Sequence, residues 1–166
     1  MKDLTFKSLR EANIERAKQY KSACEMDANF FLLCIFGEVG ELCNFIKKER
    51  RDNKSYEQEI RKELADIVIY MDLLAEKMQY KFDNRWVASF DNIRRHNEPH
   101  LYRKDIQQLA RNIFKMSVKL PKSKSWFNVM LSEIDQLAAA YTCNLGQEIR
   151  NKFNEVSDRI GVQVYL

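Results

Sequence analysis

Proline and glycine are scarce in this sequence: two and four of 166 residues. β-Branched residues do not gather in short alternating runs. A chain so poor in turn formers and in strand alternation points away from a sheet and toward an all-α protein. Its length suits a single all-α domain, residues 1–166, with an ordinary core. The four cysteines, Cys24, Cys34, Cys43 and Cys143, have no CxxC spacing, and three lie in apolar helical pattern. Buried free thiols in a reducing compartment are therefore expected. The N-terminal stretch lacks the apolar core of a signal peptide, and no apolar run approaches the ~20 residues of a membrane span. A cytoplasmic chain with no membrane partner is expected. There is no P-loop, GxSxG, HExxH or zinc spacing. The net charge of +4 is mild, and it suits an anionic ligand without requiring one. The basic runs KKERR and IRRH lack interleaved stacking aromatics and fall in expected turns, so no nucleic-acid partner is expected.

What the sequence does have is acid at helical spacing. Between Gly37 and Tyr70 it reads GEVGEL, a basic linker, then ELADIVIY. Glu38 with Glu41, and Glu63 with Asp66, are each three residues apart, which sets each pair on one helix face. On successive helices folded back as a hairpin, four carboxylates can converge.

The expected helices follow from periodicity and caps. The first covers about residues 6–22. The second starts near Asp27, a plausible N-cap, with Phe31, Ile35, Leu42 and Ile46 as its apolar stripe. It ends in the charged run KKERRDNK, read as a solvated turn. Ser55 and Gln58 fit a capping box for the third helix, which runs to about Met78 and is apolar all round at its centre. After Gln79 the pattern weakens, returns around Trp86, Val87, Phe90 and Ile93, and breaks at Glu98-Pro99-His100. Further helices are expected over about 105–120, 125–143 and 147–158, with Gly146 separating the last two. The apolar tail GVQVYL should dock on the body.

The acids border the apolar stripes, so their carboxylates should be partly buried. Converging carboxylates at roughly 4 Å repel by about 1 kcal/mol in water and several-fold more near a protein surface. Protons or cations must offset this. All-oxygen ligands suit hard cations, Mg²⁺ first and Mn²⁺ second. A di-iron bundle would need ExxH motifs, but His96 and His100 lie outside the acidic helices. Gly37 and Gly40 are half of the glycines, and each costs about 1 kcal/mol inside a helix, so a ligand or a neighbouring helix is expected close to that backbone.

These residues resemble a known family. GEVGEL (37–42), NFIKK (44–48) and ELADIVIYMDLLAEKM (63–78) are similar to the MazG-like nucleotide pyrophosphohydrolases, of the all-α NTP pyrophosphatase superfamily. NIERAKQY (13–20) and the ending KFNEVSDRIG (152–161) are similar too. The resemblance implies a helical bundle of that type and Mg²⁺-dependent hydrolysis of nucleoside triphosphates to the monophosphate and pyrophosphate, in a house-cleaning or nucleotide-pool role. It implies that Glu38, Glu41, Glu63 and Asp66 bind the metal and activate the water that attacks the α-phosphorus. It implies a nucleotide contact for Tyr70, and contacts of Lys152 and Asn154 with phosphate or sugar. Lys48, on the Glu41 face, could meet a phosphate. A non-catalytic helical module, sensing nucleotides or contacting proteins through the same acids, is the alternative.

The chain departs from simple family members at residues 79–151, which intervene before the KFN ending. Shifted by 63 residues, Asp72, Leu74, Ala75 and Phe90 fall on Asp135, Leu137, Ala138 and Phe153. If residues 81–146 reflect a duplication, the halves are 1–97 and 98–166. Trp126 and Val129 then replace Glu63 and Asp66, and the second half is degenerate. Such a fused pair would favour a monomer or homodimer over a tetramer.

Overall fold

The computed structural model describes residues 4–20, 25–80, 105–119, 121 and 123–166. Expectations for Trp86 to His100, and for Cys24, fall outside the described residues. Among the described residues there are six helices and no strand, as the composition predicts: α1 (Phe6–Gln19), α2 (Ala28–Asp52), α3 (Glu57–Lys77), α4 (Ile106–Ser117), α5 (Lys124–Ala140) and α6 (Leu145–Ile160).

Local chemistry sets most of the ends. Thr5 and Ser8 form a reciprocal box at the start of α1, with Ser8 N donating to Thr5 Oγ1 and Thr5 N to Ser8 Oγ, each at 3.1 Å. Asp27 caps α2 by accepting from Phe30 N at 2.8 Å. The run KKERRD is not a turn: it forms the last turns of α2, where Arg50 and Arg51 complement the helix dipole. The chain turns only at Asn53, in the left-handed region with φ 48°. The Ser55–Gln58 box does not form. Ser55 Oγ accepts from Glu57 N at 3.3 Å, and the Tyr56 amide donates to the Glu49 carboxylate of α2 at 3.1 Å, so a tertiary contact caps α3. Nor does Gly146 separate the last helices. The break is at Thr142, with φ 47°, and Gly146 is buried in the first turn of α6 behind the Asn144 cap.

α3 is the central helix. Its Ile60, Leu64, Ile67, Met71 and Leu74 are buried, α2 packs along it, and α6, α1 and α5 cover its other sides. α4 rests on α2 and α5. α2 corrects one expectation. At 25 residues, with an 18-residue window of mean hydropathy 1.4, it is long and apolar enough to cross a membrane, although it lays Phe31, Ile35, Val39, Leu42 and Ile46 into this core. Its outer face leaves Phe30, Leu33 and Phe36 exposed beside Gly37 and Gly40. A Cβ added to either glycine would meet nothing within 4 Å, so neither is needed for a neighbouring helix.

The internal echo has a physical counterpart. Asp72 and Asp135, Leu74 and Leu137, and Ala75 and Ala138 are all buried. α3 and α5 also end alike. Tyr80 N donates to Ala75 O at 2.7 Å after Gln79 at φ 55°, and Cys143 N donates to Ala138 O at 2.8 Å after Thr142 at φ 47°. At the acid positions the halves differ, with Trp126 buried and Val129 exposed.

One buried ion pair ties α1 to α3. Arg10 Nε donates to Asp72 Oδ1 at 2.9 Å and Asn13 Nδ2 to Asp72 Oδ2 at 2.9 Å, while Asp72 itself has no solvent access. Arg10→Met leaves that carboxylate without its cation. We expect a loss of about 3 kcal/mol or more in urea unfolding at pH 8. Because burial holds the Asp72 carboxyl above its usual range, the loss should shrink as pH falls and the carboxyl takes up a proton. A loss that ignores pH would exclude this account.

Candidate metal and nucleotide site

The i, i+3 spacing does what helical geometry requires. α2 presents Glu38 and Glu41, α3 presents Glu63 and Asp66, and the packing of the two helices turns both pairs toward one place. Oxygens of Glu38, Glu41 and Glu63 lie within 4.8 Å of one another. Glu63 and Asp66 are buried, Glu38 is half-buried and Glu41 is exposed, so the cluster opens to solvent on the α2 side.

Asp66 stands slightly apart, and a cation from the far end of the chain meets it. Lys152 Nζ of α6 lies 2.8 Å from Asp66 Oδ2, with both side chains largely covered. Phe153, fully buried, anchors α6 on the core and brings Lys152 to α3. The same face of α6 carries Glu155 and Arg159, whose charges both act on Asp66. A groove of about 700 Å³ runs from Lys152 along α3 and α6, crossed by the Lys62–Glu155 pair at 3.4 Å.

Burial and crowding shift the acids together. Glu63 is pushed up to about 8, first by burial, then by the close approach of Glu38 and repulsion from Glu38, Asp66 and Glu41. Glu38 is raised by burial and by the charge of Asp66. Crowding thus favours one proton shared by Glu38 and Glu63 over two full charges. Burial raises Asp66 as well, against the opposing pull of Lys152. Lys152 rises because Asp66 outweighs the effect of its own burial.

The remaining predicted residues are placed as follows. Tyr70 is half-buried one turn beyond Asp66. Burial, together with Cys34, Glu38 and Asp66, pushes its hydroxyl up to about 12, so it stays protonated. Lys48 lies with Nζ over the Phe45 ring, 5.2 Å from the centroid, and its charge acts on Asp52. Asn154 holds the tail: Leu166 N donates to its Oδ1 at 2.8 Å, and its Nδ2 donates to Leu166 O at 3.4 Å. Two residues near the site had no assigned role in the sequence. Cys34, one turn before Glu38, lies close enough to Tyr70 and Glu38 for both to act on its thiol, which burial pushes up. Arg16 of α1 lies close enough to Tyr70 and Asp66 for their charges to act on it. The i−4 spacing of Cys34 from Glu38 was a usable signal. A lone arginine on α1 gave none.

The fold and site together define an all-α bundle with a carboxylate cluster able to hold a hard cation. Residues 28–100 match the family model described as the MazG nucleotide pyrophosphohydrolase domain, and over that stretch the chain is MazG-like. The matched stretch contains both acidic helices and their linker, and ends before α4. No curated protein and no solved structure matches the chain.

The shared proton has a measurable consequence. A carboxyl raised in the folded state stabilises below its unfolded value, and that contribution is lost as pH rises through the folded value. Glu63, Glu38 and Asp66 all shift upward. In EDTA, the Tm should therefore fall between about pH 5 and 8, and Glu63→Gln should flatten the fall. Divalent cation should restore Tm most at the high-pH end. A wild-type Tm that is flat over this window would refute the shared proton.

Proposed function

We propose that the protein is a Mg²⁺-dependent nucleoside triphosphate pyrophosphohydrolase, cleaving (d)NTP to (d)NMP and pyrophosphate. The observation that carries this is the convergence of three carboxylates within the MazG-like stretch. Such a donor set is hard, anionic and self-repelling, and so fits a hard divalent cation. Glu38, Glu41 and Glu63 would hold that ion, with Asp66 beside them. When bound, it supplies charge neutralisation for the triphosphate and Lewis acidity at the phosphoryl group.

The chain's own residues do the rest. The carboxylates orient a water toward the α-phosphorus and take its proton. One P–O bond forms to that water, the bond to the bridging oxygen breaks, and pyrophosphate leaves. Lys152, paired with Asp66, can exchange that carboxylate for a phosphate oxygen. Protonated Tyr70 offers a hydroxyl to the nucleoside side. The second half, with Trp126 and Val129 at the acid positions, serves as scaffold and supplies Lys152, so one chain holds a complete site. That favours a monomer or homodimer, and the work fits a nucleotide-pool role in the cytoplasm.

The test is a panel of common dNTPs and NTPs with Mg²⁺ or Mn²⁺, scored for pyrophosphate. Release is expected from at least one dNTP, falling by ~100-fold or more in Glu38→Gln and Asp66→Asn. Orthophosphate as the first product would identify a phosphatase. Binding without release would identify a non-catalytic module.

A further inference from the structure

α1 brings a second cation to the site, one that has no anionic partner. The Arg16 guanidinium carbon sits 3.7 Å from the centroid of the Phe153 ring. Nη1 donates to the Phe153 carbonyl at 3.2 Å, and Nη2 donates to Asn13 Oδ1 at 3.3 Å. Both acceptors are neutral. Among the described residues no carboxylate lies within ion-pair distance of Arg16. Arg10, on the same helix, makes the contrast: Asp72 neutralises it. A largely covered guanidinium without a counter-ion is costly, and burial lowers its pKa to about 10, which still leaves it charged at neutral pH. Of its five donors, two are used by these bonds.

Its position gives that charge a use. Phe153 directly follows Lys152, so the guanidinium stacks one residue from the lysine that meets Asp66. The charged or polar groups that act on it are Tyr70 and Asp66. In the pyrophosphohydrolase reading, on which this inference rests, Tyr70 marks the nucleoside end of the substrate and the acid cluster marks the phosphates. The group between them is the α-phosphate, where the reaction occurs. We propose that Arg16 is a catalytic residue that donates to a non-bridging oxygen of the α-phosphate. The Phe153 ring and two neutral acceptors hold it ready for that anion. A planar fork suits phosphate oxygens, and the contact tightens as charge develops on them.

The test compares wild type with Arg16→Gln and Arg16→Lys by two readouts. The first is steady-state pyrophosphate release from the best substrate of the panel. Arg16→Gln should lower kcat by about 100-fold, and Arg16→Lys, which keeps the charge but loses the fork, by about tenfold. The second is calorimetric titration of the metal-free protein with a deoxynucleoside monophosphate and with the matching deoxynucleoside. Arg16→Gln should weaken the monophosphate at least tenfold and leave the nucleoside unchanged. If both ligands weaken equally, or neither does, Arg16 is structural and the proposal fails. If wild type releases no pyrophosphate, the enzyme reading fails by itself, while the paired titrations still decide whether Arg16 holds phosphate. Arg16→Lys keeps the test decisive should Arg16→Gln fail to fold.

Discussion

Carboxylates brought together against their own repulsion set the terms for this molecule. Glu38, Glu41 and Glu63 share a space in which full ionisation is unfavourable, and the fold answers by favouring a proton on Glu63 and by placing Lys152 on Asp66. Each answer is provisional: a proton can leave and a lysine can change partner. The site is held in a state that a hard cation and a polyanion together would relieve.

Holding it there falls to the rest of the fold. α3 is buried on nearly every side, so its two acids cannot swing into bulk water. Arg10 and Asn13 fix α1 against α3 through Asp72, and that same helix carries Arg16 to the far side of the site. α6 is anchored by Phe153, and Lys152 arrives with it. Two helices from opposite ends of the chain thus bring cations near acids supplied by a hairpin. The outer face of α2, with its open glycines, takes no part in this.

The duplicated look of the chain gains physical sense from the same geometry. α3 and α5 bury matching residues and end in matching turns, yet where α3 has Glu63 and Asp66, α5 has Trp126 and Val129. The acid face of α3 needs its crowding relieved, whereas the Trp126 and Val129 positions of α5 have no such need. Much of this was legible in the sequence. The helices, their inward stripes and the facing of each acid pair follow from a 3.6-residue period. The misread boundaries, such as KKERRD and Gly146, were places where helix-forming charge or a buried glycine mimicked a turn. The Ser55 box failed because Glu49, on another helix, took over the cap.

The sequence alone determined an all-α chain, two acidic faces on adjacent helices, and the need for something cationic between them, because each of these depends on spacings of three or four residues. Only the tertiary structure decided which cations come. Lys152 reaching Asp66, Arg16 reaching Phe153, and Asn154 turning to Leu166 are side-chain meetings across the fold. The first two join residues separated by most of the chain. Local periodicity carries no information about such pairs, since they depend on how whole helices stack.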